Sequence, residues 1–342
     1  MTDTVTIVRC RPGLLLAKRI ALGCIKPYDN AKHVDLLSRQ VDGLGELEEL
    51  LRLLAPRPRL AVVRGEIIDP AVARGVRRRL YADPDTGEAA SLKAVQRLWL
   101  ALDIDGILAP AGLDITDLIA CAKEAVVRLP AAFHRVSLIV QPTASHGIAP
   151  GLHLRLWCWL SRPTSDGELK RWLKDAPVDQ SVFGAGQLIY TGSPVFESGT
   201  VDPLPERLAV LFGQVEAVAV PDPAALQPPP QRNYPPLPAP GDVSADGYVR
   251  TTMTFIASAV MRAPVGKRHD TIVLGARRLA ELERHGLVLP AETEELLVRA
   301  ARGCRLDQDR GEAASEDEIR KIIAWARRSC LIDDQGGEDV ES

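Results

Sequence analysis

The sequence lacks several features that would have indicated a particular class of protein. Its six cysteines include no Cys-x-x-Cys pair, which argues against a zinc site and is typical of reduced thiols in a cytoplasm. Its longest apolar runs have only the length of a strand, so we expect neither a signal peptide nor a membrane span. The net charge is only −3, so any basic surface for nucleic acid would have to be local. The sequence thus predicts a cytoplasmic globular protein without a membrane partner.

Two aspartates close the most informative segment of the chain. From Leu98 to Ile104 every even-numbered residue is Leu or Ile, whereas the odd-numbered positions carry Trp, Ala and then Asp103 and Asp105. A period of two predicts a strand over 97–105 with both carboxylates on one face near its end. Neighbouring carboxylates repel each other unless a cation lies between them, and Mg²⁺ or Mn²⁺ suits such oxygen ligands. An exposed strand end followed by a turn explains the same residues without a metal.

A second alternating segment places a histidine and an arginine on a common face. Residues 152–160 alternate between Leu or Cys and a set that includes His153 and Arg155. Two donors that point the same way from one strand form an anion site. A structural role beside the core is the competing explanation for the histidine.

The elements around these strands predict a split βαβ sheet. They follow the order βαββαβ, the arrangement of ferredoxin-like and RRM-like folds. The predicted strands are 97–105, 135–141, 152–160 and 187–191, and the predicted helices are 114–129 and 165–174. In this topology the first strand lies between the third and the fourth. The residues expected to converge are Asp103, Asp105, His153, Arg155 and Asp179.

Three carboxylates with a histidine and an arginine have the layout of a nucleotidyl-transfer site. The carboxylates would hold one or two divalent ions, Mg²⁺ or Mn²⁺, and the cationic donors would hold a triphosphate. We therefore expect Asp103, Asp105 and Asp179 to be catalytic and metal-binding. We expect His153 and Arg155 to bind the nucleotide.

The same residues resemble the motifs of the archaeo-eukaryotic primase superfamily, the primase-polymerases. The matching stretches are Asp103-Ile104-Asp105, Gly151-Leu152-His153 and Asp179-Gln180-Ser181-Val182. More narrowly, the chain resembles the small primases of mobilisable plasmids and of phage or integrated elements, including residues 27–32, 63–65 and 204–207. The resemblance implies an α+β catalytic core followed by a small all-α domain. It also implies primer synthesis from nucleoside triphosphates on a single-stranded DNA template, with Mg²⁺ or Mn²⁺.

One motif departs from the family pattern. The family usually has a serine two residues before its histidine, where this chain has Gly151. Ser145 and His146 in the preceding loop could supply the hydroxyl or a second histidine, so both are candidates for nucleotide binding. The choice between His153 and His146 stays open, with His153 favoured because it lies on the strand.

Basic residues outside these motifs are candidates for DNA binding. Arg64 ends an apolar strand, and Arg77 and Arg78 lie in an arginine-rich run. An ordinary surface arginine is the commoner explanation for Arg64, whereas a phosphate backbone and a solvated helix face explain the run equally well. Lys267 and Arg268 open a predicted helix whose N-terminal amides attract phosphate.

Proline marks the division of the chain into domains. Residues 221–240 contain nine prolines in 20 positions, which is typical of an extended linker. The expected divisions are a catalytic domain at 1–220 (an α/β part at about 1–95, an RRM-like part at about 96–220), a linker at 221–242, a helical domain at 243–331 and a disordered acidic tail at 332–342. Helices are predicted near 244–262, 270–285, 290–303 and 315–330.

These features together predict a DNA primase or primase-polymerase of a plasmid, phage or integrated element. Its helical domain would handle the template or contact a replicative helicase. A non-catalytic replication-initiation protein that binds DNA is one alternative. A metal-dependent glycosyltransferase is another, since Asp-x-Asp also binds a diphosphate there. That class would need a doubly wound sheet, for which residues 1–96 provide no pattern.

Overall fold

The chain has an α+β architecture, as predicted, and divides into two compact units, Met1–Pro230 and Gln231–Ser342. The computed structural model describes residues 1–22, 24–83, 86–227, 245–264, 267–303 and 312–332, without the side chains of 312–315 and 330–332. Most of the expected linker and nearly all of the expected acidic tail lie outside these residues.

The N-terminal part of the first unit is built on an antiparallel sheet. Its central strand β1 (Asp3–Cys10) lies between β4 (Val34–Val41) and β5 (Leu60–Val63). Helix α1 (Leu44–Leu54) joins the outer two strands and buries leucines that recur at helical spacing. Two small sheets accompany it, one of β2 (Arg19–Ala21), β3 (Cys24–Lys26) and β11 (Val195–Phe196), the other of β6 (Glu66–Ile67) and β7 (Leu92–Lys93).

A second sheet carries the predicted site. Strands β8 (Arg97–Ile107) and β10 (Leu152–Thr164) run antiparallel, and β9 (Leu138–Pro142) pairs with β10 as well. The sheet is completed by β12 (Ala209–Leu211), antiparallel to β9, and β13 (Ala217–Val218), parallel to the end of β10. Helix α2 (Leu118–Val126) packs on β9, β10 and β12, and α3 (Asp166–Trp172) follows β10.

Both faces of β8 and β10 are buried for most of their length. Leu98, Leu100 and Leu102 lie on one face, and Trp99 and Trp157 are fully buried on the other. The ring N–H of Trp99 donates to the carbonyl of Thr4, so the N-terminal sheet packs on this second face. Both tryptophans are therefore core residues and do not form an exposed stacking platform.

The fourth predicted strand does not join this sheet. Ile189 bridges Val62 of β5 through two backbone hydrogen bonds of 2.9 and 2.8 Å. In the described part of the chain, β8 therefore pairs with β10 alone, and the βαββαβ order is correct through its second helix but not for its last strand. The apolar residues 187–191 lie between two glycines and do not by themselves specify a partner strand. They pair with β5, an outer strand of the N-terminal sheet.

The first residues of the expected linker pack on the first unit. Arg162 donates to the carbonyl of Pro221 at 2.8 Å, and Arg171 donates to that of Leu226 at 2.6 Å. The Leu226 side chain is buried. The chain up to Leu226 thus belongs to the first unit, and the boundary predicted at 220 is too early.

The second unit is helical where it is described. Its helices are α4 (Ala245–Met261), α5 (Arg268–Arg284), α6 (Pro290–Gly303) and α7 (Glu312–Ile332), close to the predicted positions. Their buried residues form a separate core that includes Val260, Leu279, Leu297 and Ile323. No helix in the described ranges is long and apolar enough to cross a membrane.

Candidate functional site

The register of β8 and β10 brings the predicted acids opposite the predicted donors. Asp105 faces His153 across the ladder, and Asp103 faces Arg155. Directly opposed residues of an antiparallel pair project from the same face of the sheet. These residues were expected to converge from the first and third strands, and the pairing register shows that they do.

Asp103 and Arg155 form a buried ion pair. The guanidinium Nε and Nη2 of Arg155 donate to the two carboxylate oxygens of Asp103, the second at 2.6 Å. The Arg155 Nη1 donates to the carbonyl of Tyr190. Burial alone would lower the pKa of Arg155, but the charge and hydrogen bonds of Asp103 outweigh burial and raise it. The arginine is therefore held charged in the protein interior.

Asp105 and His153 form a more open pair. The His153 Nδ1 lies 3.0 Å from an Asp105 carboxylate oxygen, and its Nε2 lies 3.0 Å from the carbonyl of Pro150. The Asp105 side chain is 59% exposed, whereas that of His153 is 15% exposed. Of the two strand aspartates, Asp105 is therefore the one that a ligand can reach directly, since the Asp103 side chain is buried.

Asp179 is joined to Asp103 through its backbone, whereas its carboxylate accepts hydrogen bonds from another residue. Its backbone N–H donates to the carbonyl of Asp103 at 2.9 Å. Its carboxylate accepts from the backbone N–H and the hydroxyl of Ser181, at 2.8 and 2.9 Å, and so caps the short turn Gln180–Phe183. The expected neighbourhood of the three acids is present without the strand that was expected to create it.

The three acids have suitable donor atoms for a divalent cation but are engaged with other groups. Asp103 is bound by Arg155, Asp105 faces His153, and Asp179 caps its own turn. Within the described part of the chain, no group of three or more His, Cys, Asp and Glu side chains is arranged to hold a metal ion. The donor set suits Mg²⁺ or Mn²⁺ by its chemistry. A metal site would have to be assembled by releasing Asp103 from Arg155.

His146 is a structural residue rather than a nucleotide ligand. It is fully buried, its Nε2 lies 2.8 Å from the carbonyl of Ile115, and its Nδ1 accepts from the backbone N–H of His153. Burial lowers the pKa of its ring below the usual value. With both nitrogens engaged, His146 positions His153, and the expectation that it binds nucleotide is wrong.

The glycine in the second motif has a steric cause. Gly151 adopts a φ of +89°, and a Cβ at this position would lie 2.9 Å from the carbonyl oxygen of Ile107. A serine would be strained here. The hydroxyl of Ser145 instead lies 3.5 Å from the Nζ of Lys18, and a role in nucleotide binding stays a prediction for Ser145.

The Arg64 side chain lies in the core and is not exposed on a surface that DNA could contact. Its side chain is 2% exposed and donates to the carbonyls of Trp99 and Thr164, at 2.5 and 3.0 Å. Burial lowers its pKa to about 10. The arginine joins the start of β8 to the end of β10, because the apolar strand before it leads straight into the interior.

The arginine-rich run also makes internal contacts. Arg77 lies 3.5 Å from a carboxylate oxygen of Glu88, and Arg78 donates to the carbonyl of Gly186 at 2.5 Å. Both arginines are half-buried, so they are not a free basic surface. In the second unit, Lys267 is exposed just before α5 and Arg268 begins that helix, so a role in DNA binding stays a prediction for these two.

No sequence pattern indicated the polar cleft beside the Asp103–Arg155 pair. Its lining includes Lys18, Tyr28, Arg155, Tyr190 and Arg207. The two tyrosine rings stack with centroids 3.5 Å apart, and burial raises the pKa of Tyr28 to about 12. The resemblance over residues 27–32 could have drawn attention to the tyrosine. The lysine had no signal, because its place depends on the path of the chain before β2.

Comparison with known proteins gives a distant likeness to a phage replication protein. A protein of Escherichia phage T5 described as "Putative replication origin binding protein" is 25% identical over an alignment of 176 residues, which covers 47% of this chain and 18% of the phage protein. This chain therefore spans only a small part of that relative. No protein-family model matches the chain, and no solved structure matches it.

Proposed function

We propose that this chain is a primase-polymerase, a nucleotidyltransferase that makes primers on single-stranded DNA from nucleoside triphosphates. One geometric observation supports the proposal most strongly. Asp103 and Asp105 of β8 lie directly opposite Arg155 and His153 of the paired strand β10. The backbone N–H of Asp179 donates a hydrogen bond to the carbonyl of Asp103. The likeness to the T5 protein supports a role in replication, here of a plasmid, phage or integrated element.

The protein's own residues would bind and orient the substrates. His153 and Arg155 are donors for the polyphosphate, because charge-assisted hydrogen bonds from such groups hold phosphate oxygens well. A Mg²⁺ or Mn²⁺ ion held by Asp103, Asp105 and Asp179 would neutralise the charge that develops on the phosphates and acidify the 3′-hydroxyl. The fixed ladder between β8 and β10 keeps these groups at constant spacing, which favours positioning as the main catalytic contribution.

Template-dependent nucleotide incorporation tests this proposal. The purified chain should convert labelled nucleoside triphosphates into short products on single-stranded DNA with Mg²⁺ or Mn²⁺. It should make none without template. Failure to incorporate nucleotide, by extension of a primer or de novo, would contradict the proposal.

A non-catalytic DNA-binding role in replication initiation is the second candidate. The ion pair between Asp103 and Arg155 favours this role, because Arg155 occupies the Asp103 carboxylate that a metal would need. The name of the T5 relative points the same way. This function predicts tight binding to an origin fragment without incorporation. A glycosyltransferase is disfavoured, because the described N-terminal residues form an antiparallel sheet rather than a doubly wound parallel one.

The second unit has a proposed role in template handling or in contact with a replicative helicase. Lys267, which is exposed, and Arg268 stand at the N-terminus of α5, where backbone amides favour phosphate. Double replacement of these residues by glutamine should weaken binding to single-stranded DNA without changing the extension of a primer that is already annealed.

A further inference from the structure

The cleft beside the candidate site has the charge of an anion-binding site. Lys18, Arg155 and Arg207 contribute to its wall, and none of the described residues that line it is acidic. Arg207 is neutralised by two hydrogen bonds to Asp202, at 2.6 and 2.7 Å. A positive charge in the wall that no carboxylate neutralises would attract anions.

Lys18 is the cation of this cleft that is available for a ligand. Its ammonium lies 3.5 Å from the hydroxyl of Ser145 and 5.6 Å from the centre of the Tyr28 ring. Among the residues the structure describes, no carboxylate pairs with it. Since both of its neighbours are neutral, the positive charge of Lys18 is not cancelled locally.

Arg155 belongs to both the cleft and the acid cluster. Its guanidinium lines the cleft and binds both oxygens of Asp103. An arginine fork matches phosphate as well as carboxylate. A polyphosphate in the cleft would therefore compete with Asp103 for the same donors.

The cleft is too narrow to admit a polyphosphate without movement. Its free interior is about 20 Å³, room for roughly one water molecule. A ligand can enter only if a lining side chain moves. Arg155 is the lining group whose movement would also expose a carboxylate of the site.

We propose that this cleft binds the polyphosphate of a nucleoside triphosphate through Lys18 and Arg155, and that Arg155 leaves Asp103 when it does so. This inference rests on the proposed function. Release of Asp103 leaves a buried carboxylate that favours a divalent cation as its new partner. Nucleotide and metal then promote each other's binding, since such coupling is reciprocal.

Nucleotide titration tests the role of Lys18. Lys18→Gln should weaken the binding of a nucleoside triphosphate by about tenfold or more. The control Lys26→Gln should leave it unchanged, because Lys26 pairs with Glu197 outside the cleft. Binding of a single-stranded oligonucleotide should be unaffected by either change. If Lys18→Gln weakens oligonucleotide binding instead, the cleft holds DNA phosphates and the inference is wrong.

Manganese binding without nucleotide tests the role of Arg155. Electron paramagnetic resonance should show that Arg155→Gln binds Mn²⁺ about tenfold more tightly than the wild type. The gain should disappear in Arg155→Gln/Asp103→Asn. Equal affinity of Arg155→Gln and the wild type would overturn the exchange. If Arg155→Gln does not fold, nucleotide titration of Lys18→Gln still tests whether the cleft binds the polyphosphate. Lys18 is partly exposed, so its replacement should leave the fold intact.

These outcomes separate the inference from the proposed function. Nucleotide incorporation by the wild type, together with wild-type nucleotide binding by Lys18→Gln and wild-type Mn²⁺ binding by Arg155→Gln, would remove the inference alone. A wild type that never incorporates nucleotide would remove the primase proposal, whatever the cleft binds.

Discussion

Arg155 and Asp103 face each other across β10 and β8 and share two hydrogen bonds in the protein interior, where the side chains are 6% and 12% exposed. The pair lies in the centre of the candidate site, and it also bears on the stability of the fold. Removal of one partner from a buried pair leaves the other charge without compensation.

Asp103 and Asp105 are therefore expected to differ in their effect on stability. Asp103→Ala should lower the free energy of unfolding by about 3–5 kcal/mol, because Arg155 is left charged and buried. Asp105→Ala should change it little, since its side chain is 59% exposed. Urea denaturation of both variants measures the difference, and equal stabilities would show that the Arg155 charge is solvated in another way.

Arg64 should contribute to stability and not to DNA affinity. Arg64→Met leaves the carbonyls of Trp99 and Thr164 without their donor, which costs about 1–3 kcal/mol for each buried acceptor. The control Arg74→Met, at an exposed position, should stay within about 0.5 kcal/mol of the wild type. Normal stability with weakened DNA binding in the Arg64 variant would restore its predicted role at the DNA.

His146 should make stability depend on pH. Burial lowers the pKa of the folded ring, so the unfolded state binds the proton more readily. The contribution of the neutral ring is present above the unfolded pKa of about 6.5 and is lost as the pH falls through the folded pKa. The free energy of unfolding should thus decline on acidification more steeply in the wild type than in His146→Gln. Parallel declines would show that other groups cause the dependence.

The boundary of the first unit can be tested by truncation. A chain that ends at Gln227 keeps the buried Leu226 and its contact with Arg171, whereas a chain that ends at Val220 loses both. The shorter chain should therefore melt at a lower temperature. The chain ending at Gln227 should extend an annealed primer, and it should start primers poorly if the helical unit holds the template. Equal initiation by this chain and the full-length protein would assign the helices another role.

The acids and their opposing donors could be predicted because the two strands have a clear period of two. That period fixes which side chains share a face, and the antiparallel connection then sets Asp103 near Arg155. The ion pair between Asp103 and Arg155 was not predicted. The pattern places both residues on one face but does not indicate whether the carboxylate binds the arginine or a metal ion.

The other differences arise from packing that no local pattern encodes. Arg64 follows an apolar strand, yet whether the chain then turns to solvent or into the core depends on the second sheet. The 187–191 segment has the composition of a strand, but its partner Val62 is more than a hundred residues away. Lys18 approaches the site through the fold of the N-terminal part, and its short segment has no periodicity from which to predict that position.

Nucleotide incorporation by Asp105→Asn, measured beside the wild type, tests the central claim most directly. Asp105 is exposed, so the substitution removes a charge from the site while the fold remains intact. The control Asp175→Asn removes an 88% exposed carboxylate elsewhere and should keep full activity. The proposed nucleotidyl transfer predicts that Asp105→Asn loses incorporation on the order of a hundredfold or more while it still binds single-stranded DNA. Incorporation by Asp105→Asn at the wild-type rate would contradict the account.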